Sequence, residues 1–222
     1  MAAEHPMASS KSLPKVRISL SNTTVAWLRI TRWLSVHAPA HADALNSPAT
    51  EDHIGRIETQ MAINLPTELK QILLINNGST ANSRTETENS FYDARGGGGY
   101  SPFPSTLVFN DIDRICSLYA GNRQASISMQ EPGSLYEYWK EGWIPVFRKK
   151  ESHSGLLLDA SGGQSPAPLY AYEEESFPEL AFQSLTDYLD TVADALEGIQ
   201  TFTVMGNQAP HFPVVRDGLI SW

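Results

Sequence analysis

The sequence is short of cysteine, of positive charge and of long apolar runs, and each shortage excludes a class of protein. Among 222 residues Cys116 is the only cysteine. No internal disulfide can form, so the chain fits a reducing compartment, which points to the cytoplasm. Cys116 recurs with Ile112, Ile115 and Tyr119 at helical spacing and reads as a small core hydrophobe rather than a nucleophile. Lys and Arg number 16 against 25 Asp and Glu, a net charge of −9. Nonspecific nucleic-acid binding needs a basic surface, so direct nucleic-acid binding is not expected. A negative field suits a basic protein partner, because opposite charge speeds encounter, and it also keeps a protein soluble. No apolar run approaches the roughly 20 residues that cross a bilayer, and no membrane association is expected. The first residues carry charge but no apolar core and no cleavage-like pattern, so a secretory signal is not expected either.

What is present is a hydrophobic fraction of 41%, enough for a packed core. Residues 1–20 read as a flexible polar tail with a short strand at 16–20, and 21–222 as one domain. Ser21 or Asn22 can cap a first helix on which Trp27, Ile30 and Leu34 share a face. Pro39 ends it, and 38–46 reads as a linker. Ser47-Pro48 opens a second helix over 48–62, striped by Ile54, Ile57 and Met61. The stretch 65–78 is a punctuated unit. Pro66 suits the first helical position, Leu69, Ile72 and Leu73 form a stripe to about residue 75, and Asn77-Gly78 tolerates the left-handed conformation that closes a helix.

A polar insertion over 79–102 follows, holding Asp93 and a glycine run at 96–99; a loop of this length is a candidate for partner contact. A strand at 106–109 leads to a helix over 111–120 capped by Asn110, then to a loop over 121–133. Leu135, Tyr136, Tyr138, Trp139 and Trp143 form an aromatic patch before a strand at 144–147. Further strands at 156–158 and 169–172, joined by polar turns, predict an antiparallel meander. Ser184, with Asp187 three residues on, caps a long helix striped by Leu185, Leu189, Val192 and Leu196 and stopped at Gly198. Residues 201–205 are strand-like, and 214–220 read as a hairpin across Asp217-Gly218.

His37 and His41 have a metal-ligand spacing, but Pro39 lies between them and a solvated linker is the better reading. Asp111-Ile112-Asp113 at a helix start complements the helix dipole. The glycine run at 96–99 has no preceding strand and no Lys-Ser/Thr, so it is not a phosphate loop. His153 and Asp159 bracket a hairpin without implying a nucleophile. No enzyme activity, metal or cofactor is predicted.

One order of elements is more specific. An upstream helix carries Ile54 and Ile57, then come Leu65-Pro66 and a helix ending in Asn77-Gly78. Much later follow Trp143-Ile144-Pro145 and Gly155-Leu156-Leu157-Leu158-Asp159. Over about residues 50–196 this resembles the SUKH superfamily of bacterial toxin-immunity proteins and fungal cell-wall assembly regulators. The resemblance implies an α+β fold, with a central mixed or mainly antiparallel sheet and helices packed largely on one side. It singles out Leu65, Pro66, Asn77, Gly78, Trp143, Pro145 and Asp159 as motif residues, whose expected role is structural; Asp159 is expected to hold the turn at Ser161. It implies an interaction module rather than a catalyst. The first reading is an immunity protein that covers the active surface of a cognate toxin, with a basic nuclease fitting the charge. A regulatory scaffold and a small-molecule sensor are the alternatives. The expected contact face joins the acidic run Glu173, Glu174 and Glu175 to exposed aromatics, Tyr172, Tyr138 and Trp139, with Asp93 of the insertion.

Overall fold

The structure is a computed structural model and describes residues 20–79, 101–129, 138–149, 152–163, 166–173, 176–202 and 212–222. The tail, Asp93, the glycine run, Tyr136, Glu174 and Glu175, and most of the strand expected at 201–205 lie outside the described residues.

Helix α1, Asn22–His37, starts where a hydroxyl can meet its first free amides: Ser21 Oγ accepts from Thr24 N at 3.2 Å. Trp27, Ile30 and Leu34 are buried as their spacing predicts. The linker expected at 38–46 is instead a further turn of helix, α2, Pro39–Ala42, with His41 fully buried. Proline lacks the N–H that a new helix would leave unpaired, so Pro39 both stops α1 and starts α2. Helix α3, Glu51–Met61, begins later than Ser47-Pro48 suggested, because the cap is Thr50, whose Oγ1 accepts from His53 N at 3.1 Å. Helix α4, Thr67–Leu73, is shorter than expected: Pro66 has extended ψ of 141° and precedes the helix rather than opening it.

Strand β1, Leu107–Phe109, leads into α5, Ile112–Met129. The α5 cap is Asp111, whose Oδ1 accepts from Arg114 N at 2.7 Å. Asn110, expected to cap, is buried and donates from Nδ2 to Pro145 O at 3.0 Å. The loop expected from residue 121 is helix as far as Met129. A Cβ at Gly121 would meet nothing within 4 Å, so this glycine costs helix propensity and breaks no contact.

Strands β2, Trp143–Lys149, β3, Gly155–Asp159, and β4, Leu169–Tyr172, form the expected meander. An unanticipated fifth strand, β5, Glu179–Phe182, follows the acidic run. The sheet order is β1-β2-β3-β4-β5, and every pairing is antiparallel. Helix α6, Leu185–Leu196, is capped by Ser184, whose Oγ accepts from Asp187 N at 3.0 Å. The terminal hairpin, β6, Val214–Arg216, and β7, Leu219–Ser221, turns at Asp217 and Gly218 with φ of 51° and 73°.

Cross-strand register sorts the residues of the sheet into two faces. Ile144, Leu158, Leu169 and Phe182 share one face, and the bulge between Pro145 and Phe147 returns Phe147 to it beside Leu156 and Phe109. Helices cover this face. Trp27 of α1 meets Phe109 edge-on at 5.4 Å, and Tyr188 of α6 meets Phe147 at 5.1 Å and Phe182 at 5.2 Å. Arg29 then clasps α1 to α6 through Asp190, Asp194 and Glu197 at 3.3, 2.6 and 2.6 Å. His41 Nε2 accepts from Ile220 N at 3.1 Å, so α2 seats the hairpin. This is an α+β fold. No helix among the described residues is long and apolar enough to cross a membrane.

Candidate functional site

The opposite sheet face is built differently. Trp143, Pro145, Leu157, Asp159 and Tyr170 lie on it, and toward the far end of β2 runs a row of Val108, Arg148, Gly155 and Tyr172. A Cβ at Gly155 would run into Phe147 O and come within 2.9 Å of Arg148 Cα. The chain is therefore held to glycine, and no side chain separates Arg148 from Tyr172.

Trp139 floors this face. Its ring stands edge-to-face against Trp143 at 5.8 Å and Tyr172 at 5.3 Å, and its Nε1 donates to Trp143 O at 2.9 Å. Helix α5 clamps its backbone: Trp139 N donates to Ser126 Oγ at 3.1 Å, and Arg123 Nη1 donates to Trp139 O at 2.6 Å. Trp139 and Tyr172 were expected to be exposed, but only 3% and 8% of their surfaces are accessible. Stacking edge-on against one another, with the indole N–H satisfied inside, is what buries them. Tyr138 is half-buried and Glu173 exposed, its Oε1 accepting from Lys149 Nζ at 3.3 Å. The acidic run is represented among the described residues by Glu173 alone.

Charges on this face are unusual. Arg148 is half-buried, and its Nε is buried with no hydrogen-bond partner. Burial, with the like charge of Arg114 on α5, lowers its pKa, against the pull of Tyr172 and Asp111. Burial pushes the Tyr172 phenol up to about 12, with Tyr138 adding to the shift. Among the described residues no three His, Cys, Asp or Glu side chains are placed to hold a metal.

The motif residues are held within the chain. Leu65 is buried, and its N donates to Glu58 Oε1 at 2.7 Å, which also takes Lys70 Nζ at 3.0 Å. Pro66 carries the chain into α4. Asn77 Oδ1 accepts from Ile112 N at 2.9 Å, serving the first turn of α5, a helix other than its own. Gly78 has φ of +75°, and a Cβ there would strike the backbone of Asp111. Pro145 O takes the Asn110 amide. Asp159 Oδ2 accepts from Trp143 Nε1 at 3.2 Å, and Oδ1 accepts from Ser161 N at 3.0 Å. Asn77-Gly78 and Pro145 thus meet at the start of α5, Trp143 and Asp159 join at the adjoining ends of β2 and β3, and Leu65 is held apart from them by α3. Arg114 and Arg148 were not singled out from the sequence, and His41, read there as part of a solvated linker, is fully buried. Arg148 left a trace, the first of three consecutive cations directly after Ile144-Pro145-Val146-Phe147.

An antiparallel sheet with a helix-covered core face and an aromatic opposite face is an α+β architecture. The chain belongs to the SMI1 / KNR4 family (SUKH-1), whose model matches residues 48–191. No curated protein matches it. Members of this family act through protein interactions and are generally non-catalytic. The matched span takes in α3, α4, α5, all five strands of the sheet and the first half of α6; α1, α2 and the hairpin lie outside it.

Proposed function

We propose that this chain is an immunity-type module that neutralises one cognate toxin by covering the toxin's active surface. The observation that carries the reading is the family match over residues 48–191. The net charge of −9 sets the sign of the partner, a basic protein such as a nuclease. The proposed contact residues are Glu173 and Tyr138, the aromatic residues Trp139 and Tyr172, and, from the sequence, Glu174, Glu175 and Asp93.

The test is capture of partners by tagged full-length protein from its native lysate, washed at low and then high salt, with mass spectrometry of what remains. One stoichiometric basic protein, lost when Glu173, Glu174 and Glu175 are changed to Lys, is the expected result. Several substoichiometric partners would instead support a regulatory scaffold of the cell-wall assembly type. A rise in melting temperature with a small ligand, and no protein captured, would support a sensing domain.

A further inference from the structure

We propose that Arg114, Arg148 and the Tyr172 hydroxyl form a binding site for a dianionic phosphoryl group on the second sheet face; the proposal does not rest on the toxin reading, although the site shares Tyr172 with the proposed contact face.

The first ground is the missing counter-charge. In a chain with 25 acidic residues and 16 basic ones, a basic side chain has carboxylates to choose from. Arg29 takes three, and Lys70 and Lys149 take one each. Among the described residues neither Arg114 nor Arg148 takes part in an ion pair. A guanidinium withdrawn from water without a carboxylate is costly, and its buried Nε has no acceptor at all. Asp111, the carboxylate whose charge reaches Arg148, already has Oδ1 occupied by the Arg114 backbone N–H.

The second ground is placement. Register puts Arg148 and Tyr172 on the same face with only Gly155 between them, so no side chain separates the two. Arg114 is exposed in the first turn of α5, and Asn110 N, donating to Val146 O at 2.9 Å, ties the start of that helix beside β2. The two guanidiniums feel one another's charge, and Arg148 and the Tyr172 phenol do likewise.

The third ground is the match of chemistry. Two guanidiniums present forked N–H donors of fixed geometry, and a phenol adds one more. A carboxylate would offset one of the two charges, whereas a phosphate dianion offsets both and has oxygens enough for all three groups.

The test is a titration of the 15N-labelled full chain with inorganic phosphate, against sodium chloride at matched ionic strength. The signals to follow are the Arg Nε–H resonances and the Gly155 amide. The expected result is a saturable shift specific to phosphate, weakened about tenfold in Arg114→Gln and lost in Arg148→Gln. Arg114 is exposed, so its variant keeps the test decisive if Arg148→Gln disturbs the fold; near-UV circular dichroism reports which has happened. Equal shifts with chloride, or phosphate binding undiminished in Arg114→Gln, would overturn the proposal. Repeating the titration with O-phosphoserine and with adenosine monophosphate identifies the carrier: whichever binds more tightly than inorganic phosphate shows whether a modified residue or a nucleotide supplies the group.

Discussion

Trp143 and Asp159 are cross-strand partners, and a single carboxylate ties the indole to the turn that leaves β3. Asp159→Ala leaves the Trp143 N–H and the Ser161 N–H without their acceptor, at a cost of about 2 kcal/mol. Asp159→Asn keeps one acceptor oxygen and turns a donor toward the other group, so it falls between wild type and alanine. Urea unfolding midpoints of the three proteins measure the order.

His41 ties stability to acid. Burial lowers its pKa from the ordinary 6.5 to about 4. A protonated ring cannot accept from Ile220 N, so the folded state resists the proton that the unfolded chain takes up. The stabilisation is complete above pH 6.5, declines as pH falls toward 4, and amounts to about 3 kcal/mol over that window. In His41→Gln this part of the pH dependence disappears. Urea midpoints between those pH values, wild type against variant, check it.

Two glycines with positive φ separate strain from collision. Gly78 and Gly198 have φ of +75° and +74°, but a Cβ at Gly198 meets nothing within 4 Å, whereas one at Gly78 meets the Asp111 backbone. Gly198→Ala should cost about 1 kcal/mol for the left-handed backbone alone. Gly78→Ala should cost about 3 kcal/mol, because the start of α5 has to move as well. Thermal unfolding of the two variants gives the comparison.

The Arg29 clasp is partly exposed, with 27% of its side chain accessible, and its strength should depend on salt. Its guanidinium is held above its already high pKa first by Glu197 and then by Asp194. Arg29→Ala should cost about 1 kcal/mol at low ionic strength. In roughly 1 M sodium chloride, where charges are screened within about 3 Å, the gap to wild type should narrow. Paired denaturation curves at the two salt levels decide it.

Legibility followed the range of the signal. Ser21 and Ser184 cap their helices through a hydroxyl and an amide three residues apart, and Asp217-Gly218 makes its turn alone, so the local sequence suffices for each. Asn77 failed that test because its oxygen serves Ile112, 35 residues on. Gly121 looked like a stop, yet only packing could tell whether its open side faced solvent or a neighbour. The candidate site was the least legible part. Trp139 and Tyr172 carry the composition of an interface, and whether such rings lie outside or beneath it depends on strand register. Arg148 became notable only once its neighbours Gly155 and Tyr172 were known.

The rings of the core also make an optical instrument. From Trp27 through Phe109, Phe147, Tyr188 and Phe202 to Trp222, each centroid lies within 6.0 Å of the next. Trp139 and Trp143 form a separate, nearly perpendicular pair on the other side of the sheet, with planes at 85°. Chromophores fixed at such angles give near-ultraviolet circular dichroism that vanishes when packing loosens, even if the helices survive. The two sets stand on opposite sheet faces, so phenylalanine replacement at Trp27 and Trp222, or at Trp139 and Trp143, would leave a spectrum that watches one face at a time.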